Sequence, residues 1–415
     1  MGVVIEPFAA VRFAPAAGDL SQLVCPPFDN ISGEQKLELW ARHPHNAVRL
    51  ILSAEGDPDF WYPHAARRWR DWQDQGILTT DASPAIHLYE TEYSVDGRTL
   101  VRRGFIARLR LPESDSDQVK PHERTFEGPK ADRLNLYRAT NAILSPVFFI
   151  YRDPQKATLP LLSSEHWEME ARDGFGFRHR LARLTDPAAI AALAAALARS
   201  EVMVADGHHR FATALNLRDE LRARYGHQPH APWNYTLVYL APVEDPGLTI
   251  LPTHRLLSFG APLDVPYLLS QMEKLFEVSS VDHLPLPRGK GELGVVLREG
   301  QYRLRLRSGV RMLDFLPINT SQAYEHLDVV LAHTGLLQEC LGIGPEQYGE
   351  KLRFVRGAGE AAARVLSGKC DLAVLLPPTS VDEVLAVAAA GEKMPQKSTD
   401  FFPKVLTGMV FYSHA

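Results

Sequence analysis

One stretch, residues 186–226, constrains the fold of this 415-residue chain most strongly, because helix and strand patterns alternate within it. Asp186 followed by Pro187 is typical of a helix start, since Asp can cap the first turn and Pro fits its first position. The apolar residues that follow recur three and four positions apart, as one face of a helix requires: Ile190, Leu193 and Leu197. The apolar run Val202–Ala205 comes next and predicts a short buried strand.

A turn and a second helix follow that strand. Asp206-Gly207 supplies the turn, and the helix begins at His208 or His209. Helical spacing then continues to Gly226, a residue typical of a helix end, through Phe211, Ala214, Leu215, Leu221 and Tyr225. Strand patterns also cover residues 236–240, 248–251, 292–297, 302–306 and 372–376, and helical patterns cover 359–366 and 381–390. This mixture predicts an α+β (mixed α/β) fold.

Two stretches with little regular pattern indicate domain boundaries. Residues 112–120 are acidic and contain serine, whereas residues 281–291 are rich in proline, glycine and basic residues. A chain of 415 residues is long enough for two or three domains. We expect an N-terminal lobe over residues 1–270 that contains a phosphate-binding core. A C-terminal α/β lobe over residues 271–415 is expected to close over the site.

Charge and cysteine content argue against several classes of protein. The net charge of −5 disfavours general binding to nucleic acids or anionic membranes. The three cysteines are far apart, which disfavours a disulfide scaffold and a zinc ribbon. The first residues lack the basic segment of a signal peptide, and no stretch reaches the ~20 apolar residues of a membrane span. We therefore expect a cytoplasmic protein with small-molecule partners; its oligomeric state stays open.

The densest local chemistry lies in the turn Asp206-Gly207-His208-His209-Arg210. A helix start presents N–H groups and a partial positive charge, which together bind phosphate. Gly207 lets the backbone approach an oxyanion closely, and Arg210 can bind phosphate through two donors. A carboxylate is out of place in a pure phosphate site, so Asp206 indicates a Mg²⁺ ligand or a general base. Ordinary capping explains one polar residue here, but not four within five positions.

Other polar clusters supply candidate contacts to a nucleotide. Glu127 is a second candidate metal ligand, and Cys25–Asp29 is either a turn or a wall of the site. A phosphate loop of the Walker type is excluded around Lys397, because its glycines are missing. The candidate nucleotide-binding residues outside the turn are His122, Glu123, Arg124, Thr125, Lys130, Arg133, His254, Arg255, Lys397 and Lys404. These clusters also admit a structural interpretation, as a solvated helix face or as turns.

With its Asp206 to Arg210 turn, the sequence resembles a prokaryotic family catalogued as domain of unknown function 1015, which is placed near the ParB/sulfiredoxin-like superfamily. The resemblance covers nearly the whole chain in order. It includes Pro26-Pro27-Phe28-Asp29, His45 to Leu50, His122 to Asp132, Arg138-Ala139-Thr140, Pro252-Thr253-His254-Arg255 and Met394 to Lys404. It implies a ParB/sulfiredoxin-like core with an additional C-terminal α/β lobe.

The resemblance also implies a reaction. In the free-serine kinases of that superfamily, the same Asp-Gly-His-His-Arg stretch handles nucleotide phosphate and the substrate hydroxyl. Asp206 then resembles the acidic residue beside the transferred phosphoryl group, and Gly207 to Arg210 resemble the phosphate turn. The sulfiredoxin cysteine has no counterpart, because His208-His209 stands in its place, so sulfinate reduction is not expected.

The leading hypothesis is Mg²⁺-assisted phosphoryl transfer between a nucleotide, ATP or ADP, and a small hydroxylated metabolite, with free serine as the first candidate. Asp206 would serve as base or metal ligand. The residues that would stabilise charge on the phosphoryl oxygens are His208, His209 and Arg210. One alternative is a phosphatase or metal-dependent phosphoester hydrolase, although adjacent histidines lack the i,i+4 spacing of a helical metal pair. The other is a non-enzymatic nucleotide switch of ParB type, which the acidic net charge disfavours as a DNA binder.

Overall fold

In a computed structural model of the protein, residues 2–53, 58–113, 118–120 and 127–414 are described, with the backbone alone for 58–60, 120 and 127. This part of the chain forms two units. Unit 1 contains the described residues up to 249 and those from 403 onward, and unit 2 contains residues 250–402. Both units combine helices with sheets, which confirms the mixed α+β class.

Unit 1 is built on a large mixed sheet. The strands of unit 1 up to residue 242 are β1 (Ile5–Glu6), β2 (Val11–Phe13), β3 (Leu78–Thr80), β4 (Ile86–Val95), β5 (Arg98–Arg110), β6 (Val119–Lys120), β7 (Ala142–Ile143), β8 (Val147–Tyr151), β9 (Met169–Arg172), β10 (Arg178–Leu184), β11 (Val202–Asp206) and β12 (Tyr235–Pro242). The described strands of the main sheet run in the order β6-β11-β8-β12-β5-β4-β10-β9, and β1 also pairs with β5. β11 therefore lies close to one edge of the sheet.

The helices of unit 1 are α1 (Leu20–Leu23), α2 (Gly33–Arg42), α3 (Val48–Ile51), α4 (Pro58–Asp74), α5 (Glu127–Thr140), α6 (Pro187–Leu197) and α7 (His208–Tyr225). Its short 3₁₀ segments are Pro15–Ala17, Phe28–Asn30, Leu159–Leu162 and Pro232–Asn234. α7 packs on the sheet through Phe211, whose ring meets that of Phe149 edge-on with centroids 5.5 Å apart. This contact fixes the start of α7 against the sheet.

The helix, strand and helix predicted from residues 186–226 are confirmed. Asp186 caps α6 by accepting hydrogen bonds from Ala188 N (3.4 Å) and Ala189 N (3.0 Å). The apolar residues of β11 are buried, and α7 ends at Tyr225 directly before Gly226. Capping residues and apolar spacing in the sequence were therefore sufficient to predict these three elements.

Unit 2 contains a second sheet. β13 (Thr249–Ile250) lies at the division, and the further strands are β14 (His254–Leu257), β15 (Phe276–Val281), β16 (Glu292–Leu297), β17 (Gln301–Leu306), β18 (Leu352–Val355), β19 (Leu372–Leu375) and β20 (Phe401–Phe402). The larger sheet has the order β15-β17-β16-β19-β14-β18. The hairpin predicted around residues 299–300 is thereby confirmed as β16 and β17. The strand predicted at 248–251 has two residues only, since Leu248 N donates to Asp245 O within a turn.

The helices of unit 2 are α8 (Val265–Met272), α9 (Gln322–Glu325), α10 (Asp328–Val330), α11 (Tyr348–Lys351), α12 (Ala358–Leu366) and α13 (Val381–Ala389). Two 3₁₀ segments, Met312–Phe315 and Pro345–Gln347, and one π-helix, Leu331–Cys340, complete the unit. Residue 270, near which sequence analysis set the lobe boundary, lies within α8. The division at 249/250 falls earlier because Leu268 and Met272 of α8 are buried in unit 2.

The C-terminal segment belongs to unit 1, whereas sequence analysis assigned it to the C-terminal lobe. Its backbone pairs with the N-terminal part of the chain, since Thr407 exchanges hydrogen bonds with Cys25 and Phe411 with Val11. The last strand, β21 (Tyr412–Ser413), pairs with β7. The segment is therefore part of the core of unit 1, and it carries Lys404 into that unit.

Among the described residues, no helix is both long enough and apolar enough to cross a lipid bilayer.

Replacement of Phe411 tests whether the C-terminal segment stabilises unit 1. Its ring is fully buried and meets Phe13 and Trp69 edge-on at 5.9 and 5.5 Å. Phe411→Ala should lower the free energy of unfolding by about 3–5 kcal/mol in urea titrations followed by tryptophan fluorescence. The control is Phe175→Ala at an exposed ring, which should change it by less than about 1 kcal/mol. A Phe411→Ala variant as stable as the control would contradict this role.

Candidate functional site

The candidate site is built where β11 meets α7. β11 pairs with β8 through a register shift between Val204 and Asp206, a β-bulge of the kind that re-aims side chains beside functional sites. Gly207 then adopts φ 89°, a left-handed conformation that favours glycine, and His208 begins the 18-residue helix α7. A Cβ at Gly207 would lie 2.7 Å from Arg210 Cζ. The sequence requires glycine here for both backbone conformation and space.

Asp206 forms two ion pairs. Its Oδ1 lies 2.8 Å from Lys404 Nζ, and its Oδ2 lies 2.8 Å from Arg210 Nη2. Burial acts to raise the pKa of Asp206, but the positive charges of Lys404 and Arg210 outweigh it and hold that pKa well below its ordinary value. Asp206 is consequently an anion at neutral pH and a poor proton acceptor.

Arg210 is the buried centre of the cluster. Only 2% of its side chain is exposed, and Nη1 donates to the carbonyl oxygen of Pro146. Nη2, which donates to Asp206, also lies 3.7 Å from Asp29 Oδ2. Burial acts to lower the pKa of Arg210, but Asp29 and Asp206 outweigh it and raise that pKa. In this geometry the Arg210 guanidinium contacts two carboxylates and a carbonyl oxygen under the turn. It does not face solvent with two donors available to a phosphate.

Lys404 reaches Asp206 because the preceding residue is anchored. Arg102 is fully buried and donates through Nη1 to Pro403 O at 2.6 Å. Its guanidinium lies over the rings of Phe148 and Tyr239, 4.7 and 5.2 Å from their centroids. Cation–π contacts of this kind stabilise a buried cation. Arg102 therefore positions Lys404 through the backbone, without touching the site.

The structure places the remaining candidates of unit 1 around α7. His208 is buried, and His209 is half-buried with its carbonyl oxygen accepting from Thr213 Oγ1 at 2.7 Å. Lys130 is half-buried on α5, and its carbonyl oxygen lies 3.4 Å from the same hydroxyl. Arg133 is buried, with Nη1 donating to Ile51 O at 2.8 Å, so it holds α5 in place.

Three candidates lie in unit 2. His254 is buried on β14, where its Nδ1 accepts from Leu376 N at 3.2 Å, and burial lowers its pKa to about 4. Burial also lowers the pKa of Arg255 to about 9, and its guanidinium donates to His333 Nε2 (3.1 Å) and to Lys397 O (3.1 Å). Lys397 is exposed and adopts φ 55°, an uncommon conformation for a residue with a side chain.

Some candidates lie outside the described residues: His122, Glu123, Arg124 and Thr125, together with the side chain of Glu127. Within the described part of the chain, no group of three or more His, Cys, Asp or Glu residues could hold a metal ion. A Mg²⁺ ion needs fewer protein ligands, because one or two carboxylates and substrate phosphates can hold it. Asp206 is the candidate metal ligand whose side chain the structure describes.

Asp29 is the residue of the cluster that sequence reasoning did not select. It lies in the 3₁₀ segment Phe28–Asn30, is 27% exposed, and its Oδ1 accepts from Asn30 Nδ2 at 3.0 Å. The signal was the polar end of the cluster Cys25–Asp29, which sequence analysis left undecided between turn and site wall. Its approach to Arg210 is a long-range contact that no local pattern indicates.

Fold and site define a mixed α+β protein with a buried cluster of carboxylates and cations at a strand-to-helix turn. The chain matches the model of the family described as "Protein of unknown function (DUF1015)" over residues 5–330, and it belongs to that family. This confirms the family assigned from the sequence; its relation to the ParB/sulfiredoxin-like superfamily stays a prediction.

Several solved structures are similar to the chain. Free serine kinase in complex with AMP is 12% identical with a TM-score of 0.34, covering 69% of this chain and 84% of that one. SbnI with a C-terminal truncation, from Staphylococcus aureus, is 13% identical with a TM-score of 0.37, covering 74% and 86%. A conserved hypothetical protein from Pyrococcus furiosus is 13% identical with a TM-score of 0.34, covering 69% and 87%. No curated protein sequence matches the chain significantly.

Gly207→Ala tests whether the turn depends on glycine for space as well as for conformation. Gly97, in the turn between β4 and β5, has φ 73° and open space where a methyl group would stand, so Gly97→Ala is the matched control. Both variants lose about 1–2 kcal/mol from the left-handed conformation. Gly207→Ala should lose at least about 1 kcal/mol more in urea unfolding, because it displaces Arg210. Equal losses in the two variants would contradict the close contact with Arg210.

The ion pairs of Asp206 predict a pH-dependent contribution to stability. A carboxyl group whose pKa is lowered by folding stabilises the protein above its unfolded pKa of about 3.9, and this stabilisation is lost as the pH falls towards the folded value. Asp206→Asn should lower the free energy of unfolding by about 3 kcal/mol at pH 7, and the difference should narrow below about pH 4. Glu220→Gln, at an exposed carboxylate paired with the equally exposed Arg138, should cost less than about 1 kcal/mol. A difference for Asp206→Asn that stays constant down to pH 3 would show that its charge is not the cause.

Proposed function

We propose that the protein transfers the terminal phosphoryl group of a nucleotide, ATP or ADP, to the hydroxyl of a small metabolite, with free serine as the first candidate. The observation that carries this proposal is the Asp206 carboxylate held between Lys404 and Arg210 at the glycine turn that opens α7. Phosphoryl transfer depends mainly on positioning and on charge stabilisation, and this arrangement supplies both.

The start of α7 and Lys404 are suited to hold phosphate. A helix N-terminus attracts anions through its N–H groups and its partial positive charge. Gly207 gives the backbone the left-handed conformation from which the first turn of α7 starts. Lys404, which is 12% exposed, adds a positive charge that is shielded from water and therefore acts strongly on a bound phosphoryl group.

The two carboxylates are suited to different roles. The lowered pKa of Asp206 favours a permanent anion that positions Lys404 and Arg210 and can contribute one ligand to Mg²⁺. Asp29 is more exposed than Asp206, and its contact with Arg210 is longer. Asp29 is therefore assigned as the acceptor of the proton from the substrate hydroxyl. As the hydroxyl oxygen bonds to the terminal phosphorus, the bond between that phosphorus and the bridging oxygen of the nucleotide breaks, and the proton passes to the Asp29 carboxylate. Bound Mg²⁺ would neutralise charge on the nucleotide phosphates.

Other candidate residues have proposed roles in binding phosphate, in binding the nucleotide or in holding a helix in place. His208 and His209, at the first positions of α7, are proposed to stabilise charge on the phosphoryl oxygens. Lys130 and the His122 to Thr125 stretch are proposed contacts for the nucleotide. For Arg133, the hydrogen bond to Ile51 O supports a role in holding α5.

The reaction is testable by ³¹P NMR. We would incubate the purified protein with Mg²⁺, each of ATP, ADP, CTP and GTP, and a pool of hydroxylated metabolites that includes L-serine. A new phosphomonoester signal is expected with the wild type. Asp206→Asn and Asp29→Asn should each lower the rate of its formation at least about 100-fold, while nucleotide binding by calorimetry stays within about tenfold.

The matched control is Asp186→Asn, because Asn caps a helix as well as Asp does and Asp186 is exposed at the start of α6. This variant should form the phosphomonoester at the wild-type rate. Unchanged turnover in Asp206→Asn would overturn the proposal. Inorganic phosphate as the sole product would replace it with the hydrolase alternative, and nucleotide binding without chemistry would replace it with the switch.

A further inference from the structure

Unit 2 contains a cavity that the proposed reaction does not use. Its volume is about 760 Å³, within the range of small-molecule sites. Its apolar wall consists of Leu306, Val310, Met312, Leu327 and Leu331. Three of these, Met312, Leu327 and Leu331, are at most 3% exposed, so the wall is firmly packed. Leu331 is also the first residue of the π-helix, a rare conformation that occurs frequently at functional sites.

Two of the charged residues around the cavity are already neutralised. Lys290 Nζ lies 3.2 Å from Asp328 Oδ2, and it also bonds to Glu383 and to His326 O. Asp328 Oδ1 accepts from Gly291 N at 2.8 Å. These contacts stabilise the cavity wall and leave little capacity for a ligand.

Glu325 and Arg311 differ from that pair. Arg311 Nε lies 3.8 Å from Glu325 Oε1, too far for a hydrogen bond, and the same oxygen accepts from Leu313 N at 3.2 Å. The Glu325 side chain is 10% exposed, whereas that of Arg311 is 61% exposed. A carboxylate this buried gains from a further donor, and the guanidinium retains donors for an anion.

We propose that this cavity binds an α-amino acid with an apolar side chain. Such a ligand carries an ammonium and a carboxylate group on one carbon atom, which matches the neighbouring carboxylate of Glu325 and guanidinium of Arg311. Its side chain would lie on the apolar wall. A simple amine or a simple acid would contact one of the two charged residues and leave the other without a ligand contact. This inference is independent of the proposed phosphoryl transfer, because every residue of the cavity belongs to unit 2 and none belongs to the Asp206 cluster.

The test is calorimetric titration of the full chain with L-leucine and L-phenylalanine. Comparison ligands are 4-methylpentanoate, which lacks the ammonium group, and 3-methylbutylamine, which lacks the carboxylate. The two amino acids should bind at least about tenfold more tightly than either analogue, since each analogue loses one charged hydrogen bond. Repeating the titration in Asp206→Asn separates this binding from binding at the Asp206 cluster, because the affinity for leucine should be unchanged.

Two variants and a control locate the binding. Glu325→Gln should weaken leucine binding at least about tenfold, and Val310→Trp, which fills the cavity, should abolish it. Glu299→Gln, at an exposed carboxylate in the turn between β16 and β17, should leave it unchanged. Circular dichroism would verify that each variant is folded. The inference is overturned if neither amino acid binds the wild type, if Glu325→Gln binds leucine like the control, or if 4-methylpentanoate binds as tightly as leucine.

Discussion

The ion pairs that join Asp206 to Lys404 and Arg210 determine how the candidate site is arranged. Removing one member leaves a buried charge without its partner, which is the situation that destabilises buried ion pairs most. Arg210 avoids it by contacting two carboxylates and the carbonyl oxygen of Pro146. Asp206 avoids it by pairing one oxygen with each cation. The cluster is thus stabilised as a whole, and its charges are fixed before any ligand binds.

The N-terminal and the C-terminal parts of the chain both contribute residues to this cluster. The 3₁₀ segment near the N-terminus supplies Asp29, and the C-terminal segment supplies Lys404. Pairing of Thr407 with Cys25 keeps these two segments side by side, and the hydrogen bond from Arg102 to Pro403 O sets the position of Lys404. The bulge at the end of β11 and the left-handed conformation of Gly207 place Asp206 and Arg210 beside these two segments. Electrostatic preorganisation of this kind is what phosphoryl transfer requires.

How far the sequence predicted this site depends on the range of each interaction. The helix α6, the strand β11 and the helix α7 follow from local capping and apolar spacing, so they were predicted correctly, as was the turn that holds Asp206 and Gly207. The contact between Asp206 and Lys404 joins residues 198 positions apart, and no periodic pattern reports on such a distance. The burial of Arg210 and its approach to Asp29 also depend on tertiary packing. For the same reason, the sequence pattern does not predict that residues 403–414 belong to unit 1, although they follow unit 2 in the chain.

A crystal structure of the protein with a non-hydrolysable ATP analogue, Mg²⁺ and L-serine tests the proposed phosphoryl transfer most directly. We expect the terminal phosphate to lie at the start of α7, within hydrogen-bond distance of Lys404 Nζ, and the serine hydroxyl to face this phosphate and Asp29. Phosphates bound elsewhere on unit 1 or on unit 2, with the Asp206 cluster unchanged and without contact to ligand, would contradict the proposed reaction.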